Sequence, residues 1–155
     1  MSDLEERIRR IEDRQAMYER LLAYYVACDR LSDVDDLLAS FTPDAEFDLS
    51  GLGLPLMQGH GAIGPFFAAV FKDMAHHAHF ISNFRLSRQE RDTATGLAYV
   101  IGLGRSHAGA DVTVHANLEI DYVRVGDDWK ITRFVEAAQM PLAGMAEAHG
   151  DRFTG

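Results

Sequence analysis

The chain has 155 residues, of which 47% are hydrophobic and 25% charged, and its formal net charge is −9. This length supports one compact domain with a real core, and the apolar share predicts a folded chain rather than a disordered one. Because no Lys/Arg cluster reverses the negative charge locally, nucleic acid and anionic membranes are excluded as expected partners. The single cysteine, Cys28, excludes an internal disulfide and a cysteine-rich metal site.

The first predicted element is a long amphipathic helix over residues 3–30. Its apolar positions recur at steps of four and three, the spacing that keeps side chains on one face of an α-helix. The series ends at Asp29, so a carboxylate lies on the face predicted to be buried, where it is costly without a partner. The predicted buried face comprises Leu4, Ile8, Ile11, Gln15, Tyr18, Leu22, Tyr25 and Asp29, and the predicted exposed face comprises Glu5, Arg9, Glu12, Asp13, Glu19 and Arg20.

Shorter elements fill the middle of the chain. Ser32-Asp33 has the composition of a helix N-cap, and Thr42-Pro43-Asp44 that of a helix stop. A strand and a glycine-rich loop follow, before a third helix rich in phenylalanine. The predicted segments are a helix from Val34 to Phe41, a strand over 45–49, a loop over 51–61 and a helix over about 62–74.

From His76 onward, apolar and polar residues alternate as in half-buried strands. Four strands are predicted, at about 76–89, 93–107, 111–125 and 129–139, with hairpin turns between them. Helices followed by an antiparallel meander are typical of the α+β class. We expect one domain over residues 1–142 and a tail over 143–155 that is flexible or covers a pocket. No apolar run is long enough to span a membrane and the N-terminus lacks a signal peptide, so we expect a cytoplasmic protein.

Several short phrases of the sequence are shared with a known family, in the same order along the chain. They are Ile11-Glu12-Asp13-Arg14-Gln15-Ala16, Phe41-Thr42-Pro43-Asp44-Ala45-Glu46-Phe47, Gly59-His60-Gly61-Ala62-Ile63, His79 with Asn83, and Asp128-Trp129-Lys130-Ile131. Through them the chain resembles the SnoaL-like group of the nuclear-transport-factor-2-like superfamily. The resemblance implies a cone-shaped α+β roll, with about three helices on a curved, mostly antiparallel sheet that encloses a pocket. The superfamily contains isomerases, dehydratases, cyclases and non-catalytic proteins, so the fold does not settle the function.

Within this superfamily, the site pattern resembles scytalone dehydratase and hexachlorocyclohexane dehydrochlorinase. Those relatives carry an Asp at the end of the first helix and a His on the first meander strand, positions held here by Asp29 and His79. In the relatives this pair removes a proton next to a leaving group. The residue types suit that chemistry, because imidazole titrates near neutrality and a carboxylate on its other nitrogen fixes the tautomer. The alternative is a structural role, in which Asp29 binds an arginine or backbone amides.

Two further residues complete the predicted catalytic set. Tyr25 lies one helical turn before Asp29 and aligns with the tyrosine that ketosteroid isomerases use to stabilise an oxyanion. His115 matches a second pocket histidine of scytalone dehydratase, although a polar outer face of the sheet is an equally good interpretation.

His77 and His79 share a strand face, as zinc ligands can, but a third ligand is needed. We expect no metal and no cofactor.

We expect the pocket to bind a small hydrophobic molecule, and a cyclic molecule would suit it. A second hypothesis is a ketosteroid-isomerase-like or polyketide-cyclase-like enzyme that uses Tyr25 and Asp48. Those isomerases place their base one residue later, at Leu49 here, and one residue exchanges the two faces of a strand. A third hypothesis is a binding protein without chemistry, and in every case the outer sheet face should support a homo-oligomer. The predicted substrate-binding residues are Phe47, Met57, Phe67, Val70, Ile101 and Phe134.

Overall fold

A computed structural model describes residues 2–141, and the tail predicted over 143–155 lies outside the described residues. Three α-helices pack on an open, curved, six-stranded sheet, which confirms the α+β architecture. In the described part of the chain, no helix combines the length and apolarity needed to cross a membrane. The helices are α1 (Asp3–Arg30), α2 (Val34–Leu38) and α3 (His60–Asp73); the strands are β1 (Phe41–Asp48), β2 (Leu56–Gln58), β3 (Met74–Gln89), β4 (Thr93–Ser106), β5 (Asp111–Val125) and β6 (Asp128–Ala138).

The strands are ordered β2-β1-β6-β5-β4-β3 across the sheet. All neighbouring pairs are antiparallel except β1 and β6, which run parallel. The meander β3–β6 follows the predicted strands to within two residues at each end, because alternation and turn residues mark its strands clearly. In β3 the register shifts between Ser82 and Arg85, and Asn83 adopts a left-handed conformation there with φ 58°. Such a bulge bends the strand and adds to its twist.

The predicted buried face of α1 is wrong for its first turns. Leu4, Ile8 and Ile11 are 62%, 46% and 69% exposed. The buried stripe runs one position away from the predicted series, through Met17 and Leu21, among others. Helical spacing identifies which residues share a face, whereas the placement of the sheet decides which face is covered. Tyr25 is nevertheless buried, and Asp29 at the end of the same series is half-buried.

Asp13, which the helical pattern placed on the exposed face, is buried, with only 6% of its surface exposed. Its carboxylate accepts hydrogen bonds from the indole nitrogen of Trp129 at 3.0 Å, from Arg9 at 3.0 Å and from Arg124 at 2.8 Å. The Arg124 guanidinium also lies 4.5 Å from the centre of the Trp129 ring. Burial of this carboxylate is tolerated because both oxygens are paired. The cluster fastens α1 to the last hairpin of the sheet.

The second helix is shorter than predicted, since it ends at Leu38 and Phe41 already begins β1. Its N-cap is the predicted Asp33, whose side chain accepts a hydrogen bond from the backbone N–H of Asp36. Phe41 is buried and pairs with Ile131 of β6. The stop signal at Pro43 falls within β1, where the register with β6 shifts and a missing N–H is tolerated. The predicted loop over 51–61 also contains β2, which adds an edge strand beside β1.

An aromatic cluster fills the space between α1, α3 and the sheet. Tyr24 of α1 contacts the rings of Phe41, Phe47, Phe67 and Phe134 at centroid distances of 5.2–6.2 Å. Phe47 and Phe134, which pair across the parallel strands β1 and β6, stack at 4.7 Å. This packing holds the C-terminal half of α1 against the sheet, where the candidate site lies.

Candidate active site

A cavity lies between the C-terminal half of α1, helix α3, the segment after β1 and the inner face of the sheet. The space inside it that admits the centres of water-sized molecules is about 110 Å³. Like other pockets that bind small molecules, it is mostly apolar with a few polar groups. Its polar side chains are Tyr24, Tyr25, Cys28, His77, His79 and Glu136, and the rest of its lining is Leu49, Leu52, Leu54, Phe66, Phe67, Val70, Gly102, Leu103, Gly104, Val112 and Val114.

Asp29 and His79 form a hydrogen-bonded pair, of which His79 lines this cavity. Nδ1 of the His79 ring lies 2.6 Å from Oδ1 of Asp29, and the backbone N–H of His79 donates to Oδ2 at 3.2 Å. An ionised carboxylate only accepts hydrogen bonds, so Nδ1 carries a proton and donates it. In the neutral imidazole, Nε2 is then unprotonated and able to act as a base. The side chains of Asp29 and His79 keep 31% and 17% of their surface exposed.

Strand β4 makes room for the imidazole ring with a glycine. Gly102 pairs with His79 across the β3–β4 hairpin. A Cβ atom at Gly102 would lie 3.2 Å from Cδ2 and 3.3 Å from Nε2 of His79, closer than ordinary van der Waals contact. On the other side the Tyr25 ring contacts the His79 ring at a centroid distance of 4.8 Å. The ring is therefore held by Asp29, Tyr25 and the glycine backbone together.

Glu136 is a pocket residue that the sequence analysis missed. It lies on β6, pairs with Leu118 of β5 and contributes its side chain to the cavity. The Tyr25 hydroxyl donates to Oε2 of Glu136 over a long distance of 3.5 Å. Burial raises the pKa of Glu136 to about 7, although the nearby His79 and the Tyr25 hydrogen bond act in the opposite direction. The missed signal is the two-residue spacing from the core residue Phe134, which places Glu136 on the inner face of β6.

Tyr25 and Cys28, the residues of α1 next to Asp29 that line the cavity, remain protonated near neutrality. Burial raises the pKa of the Tyr25 hydroxyl well above its ordinary value, and the negative charge of Glu136 adds to this shift. Burial likewise raises the pKa of the Cys28 thiol. Tyr25 is therefore a neutral hydrogen-bond donor, and Cys28 is an inert thiol rather than a nucleophile.

His115 and Ile101, predicted as pocket residues, lie outside the lining of this cavity. These two residues pair with each other across β4 and β5. The inner face is formed by their neighbours Gly102 and Val114, and successive residues of a strand point to opposite faces. Ile101 is 42% exposed, and His115 is partly exposed on the same outer face. The interpretation of His115 as part of an outer polar face fits this position.

Of the remaining predicted binding residues, Phe67 and Val70 line the cavity. Phe47, Met57 and Phe134 are buried but do not line it. Phe47 and Phe134 belong instead to the aromatic cluster under α1. Most side chains on the core face pack against other core residues, and few of them border a cavity.

Asp48, the base of the isomerase hypothesis, does not line the cavity, whereas its neighbour Leu49 does. Its carboxylate accepts a hydrogen bond from the backbone N–H of Ser50 at 2.9 Å. Hydrogen bonds from the Ser50 hydroxyl and backbone hold the pKa of Asp48 below its ordinary value.

His77 also lines the cavity, with its ring 5.4 Å from that of His79 and nearly perpendicular to it. Within residues 2–141, no three His, Cys, Asp or Glu side chains are placed together as a metal site.

Comparison with known proteins places this architecture in a family. A family model described as a SnoaL-like domain matches residues 9–135. A protein from Novosphingobium aromaticivorans named as a candidate aromatic ring hydroxylase is 44% identical, with a TM-score of 0.86 over 89% of this chain and 96% of its own. No curated protein matches the chain.

Two more distant structures share the fold. A candidate scytalone dehydratase from the same organism is 17% identical, with a TM-score of 0.78 over 87% of this chain and 89% of its own. A hexachlorocyclohexane dehydrochlorinase from Novosphingobium barchaimii is 20% identical, with a TM-score of 0.71 over 94% of this chain and 95% of its own.

Proposed function

The chain belongs to the SnoaL-like domain family, and we propose that it is a cofactor-independent lyase. The proposed reaction removes a proton from a small, hydrophobic, cyclic substrate and expels a leaving group from the adjacent carbon. The observation that carries the proposal is the 2.6 Å hydrogen bond between Asp29 and His79, whose ring lines the cavity.

In this mechanism His79 is the general base and Asp29 is its positioning residue. The unprotonated Nε2 of His79 takes the proton from carbon, and the electron pair of the C–H bond forms a double bond as the leaving group departs. The imidazolium that results is stabilised by the carboxylate of Asp29 on Nδ1, 2.6 Å away. Tyr25, with its ring against His79, would donate a hydrogen bond to negative charge on the substrate in exchange for its long hydrogen bond to Glu136.

The cavity wall and the names of similar proteins support this substrate class. Aromatic and aliphatic side chains from α1, α3 and the sheet form most of the lining. Two structurally similar proteins are named for dehydration and dehydrochlorination, both of which are eliminations. The most similar of the three reported structures is named for a reaction on an aromatic ring. Asp29 and His79 can supply the proton transfers that an elimination needs.

The proposal is tested with β-hydroxytetralone, a bicyclic ketone whose elimination of water produces naphthol, which is followed by fluorescence. We expect His79→Ala and Asp29→Asn to reduce turnover by roughly 10²–10⁴-fold, the usual contribution of a positioned acid or base. His76→Ala is the matched control, because His76 is exposed on the same strand and lies outside the cavity lining. Thermal unfolding of each variant reports whether the fold is intact.

Undiminished turnover by a folded His79→Ala variant would refute the role of the dyad. Saturable binding of β-hydroxytetralone without any naphthol formation by the wild-type protein would favour the non-catalytic binding protein instead.

A further inference from the structure

The cavity contains a second polar pair that the Asp29–His79 dyad does not use. The Glu136 carboxylate and the Tyr25 hydroxyl lie 3.5 Å apart, and both line the cavity. Tyr25 also contacts the His79 ring, so it stands between the base and this carboxyl group. Glu136 projects from β6 and His79 from β3, with two strands between them in the sheet. A substrate next to Tyr25 would therefore have a base on one side and a carboxyl group on the other.

We propose that Glu136 is a further catalytic residue, the general acid that protonates a departing hydroxyl group, so that this lyase expels water rather than halide. The inference rests on the proposed function and adds the class of leaving group to it. Hydroxide is a poor leaving group and needs a proton as the C–O bond breaks, whereas chloride departs as a stable anion. An elimination that expels halide has no use for a second carboxyl group in an apolar cavity.

The surroundings of Glu136 favour a carboxyl group that keeps its proton near neutrality. Burial raises its pKa to about 7. Within the described cavity lining, helix α1 contributes Tyr24, Tyr25 and Cys28 as titratable groups, and β3 contributes His77 and His79. No arginine or lysine is among these lining residues. Tyr24, Tyr25 and Cys28 all have raised pKa values and stay neutral, so His79 is the group whose charge opposes protonation of Glu136.

The proposed step is balanced in atoms and charge. His79 Nε2 takes the proton from carbon, and the C–H electron pair becomes the second bond of the new double bond. The C–O bond breaks with its electrons on oxygen, and that oxygen takes the proton of the Glu136 carboxyl to leave as water. The enzyme is left with an imidazolium at His79 and a carboxylate at Glu136. Transfer of the proton from the first to the second restores the starting state.

The test compares two leaving groups on one ring. β-Hydroxytetralone and β-acetoxytetralone both produce naphthol, but acetate departs as an anion without needing a proton. Glu136→Gln keeps the shape of the side chain and can still accept the Tyr25 hydrogen bond, yet it cannot supply an acidic proton. We expect this variant to lose roughly 10²-fold or more of its rate on β-hydroxytetralone while its rate on β-acetoxytetralone is unchanged. Glu119→Gln, on the exposed outer face of the same sheet, is the matched control and should change neither rate.

The pH profile supplies an independent measurement. In the wild-type protein the rate on β-hydroxytetralone should fall as the pH rises through about 7, because Glu136 loses its proton there. The rate on β-acetoxytetralone should show no such fall, since no acid is required.

Each result separates the two hypotheses. Loss of both rates in His79→Ala together with selective loss in Glu136→Gln supports the dyad and the acid. If Glu136→Gln slows both substrates equally, or slows neither, the acid role is refuted while the dyad stands. If His79→Ala keeps both rates, the dyad fails irrespective of Glu136. If the wild-type protein converts neither tetralone, both assignments are overturned for this substrate class.

Discussion

The raised pKa of Glu136 predicts a measurable effect on folding stability that requires no substrate. The pKa of this carboxyl is about 7 in the folded protein, compared with the ordinary value of 4.5. Between these values the folded chain binds more protons than the unfolded chain, so the free energy of unfolding falls as the pH rises. Glu136→Gln removes the ionisation and should remove this fall.

The magnitude follows from the two pKa values. Each tenfold change in proton affinity corresponds to about 1.4 kcal/mol, so full ionisation of Glu136 destabilises the fold by about 3 kcal/mol. The stability advantage of the glutamine variant should grow from under about 1 kcal/mol near pH 5 to about 3 kcal/mol near pH 8. For a chain of this size the second figure corresponds to a rise in Tm of roughly 6–12 °C.

Urea unfolding of the wild-type protein, Glu136→Gln and Glu119→Gln at several pH values measures this difference. Any constant offset caused by the substitution itself cancels, because the prediction concerns the change of the difference with pH. The Glu119 control should follow the wild-type profile, since that side chain is exposed. Parallel profiles for Glu136→Gln and the wild type would refute the burial argument for Glu136.

Three further predictions concern packing and the position of the base. Asp13→Ala removes the acceptor shared by Arg9, Arg124 and the Trp129 indole, although Arg9 keeps its ion pair with Glu6 and Arg124 keeps its ion pair with Asp92. Urea unfolding should show a loss of about 1–3 kcal/mol, because the buried indole N–H loses its acceptor; a loss within error would mean that the cluster contributes nothing to stability. Phe47→Ala removes a fully buried ring and should lose about 3–5 kcal/mol in the same assay, whereas a small loss would contradict the packing described for the aromatic cluster. Gly102→Ala places a methyl group 3.2–3.3 Å from the His79 ring, so turnover of β-hydroxytetralone should fall with little change in Tm; unchanged turnover would show that the ring can move without consequence.

The meander and the contact between Asp29 and His79 could be predicted because their signals are local or distinctive. Alternating residues and turn residues define β3–β6 without reference to the rest of the chain. Asp29 stood out as a carboxylate at the end of a mostly apolar helical series. His79 stood out because the family relatives carry a histidine at the matching position of the first meander strand. The structure brings these two side chains within 2.6 Å although 50 residues separate them.

The errors arise where two elements must be placed against each other. The helical pattern of α1 could not show that Asp13 would meet Trp129 of β6, because that contact depends on how the helix lies on the sheet. The alternation of β5 identified the face that carries His115, but only the sheet's curvature and the helices decide which face is concave. Glu136 was missed although β6 offered the same kind of signal as α1, a carboxylate on a face of buried residues.

The position of Asp29 links the stability of α1 to the chemistry proposed for His79. Asp29 is the penultimate residue of the helix, where the partial negative charge of the helix end disfavours a carboxylate. The ring and backbone N–H groups of His79 offset that penalty, and in the proposed reaction the same carboxylate would stabilise the imidazolium formed when His79 takes up a proton. The position of the Asp29 carboxylate at the helix end is thus unfavourable in the resting protein, but the carboxylate would stabilise the His79 imidazolium formed by proton uptake. It follows that Asp29→Asn should reduce turnover by roughly 10²–10⁴-fold without lowering the Tm, the opposite pattern to Asp13→Ala. A large loss of stability in Asp29→Asn would indicate a structural ion pair instead.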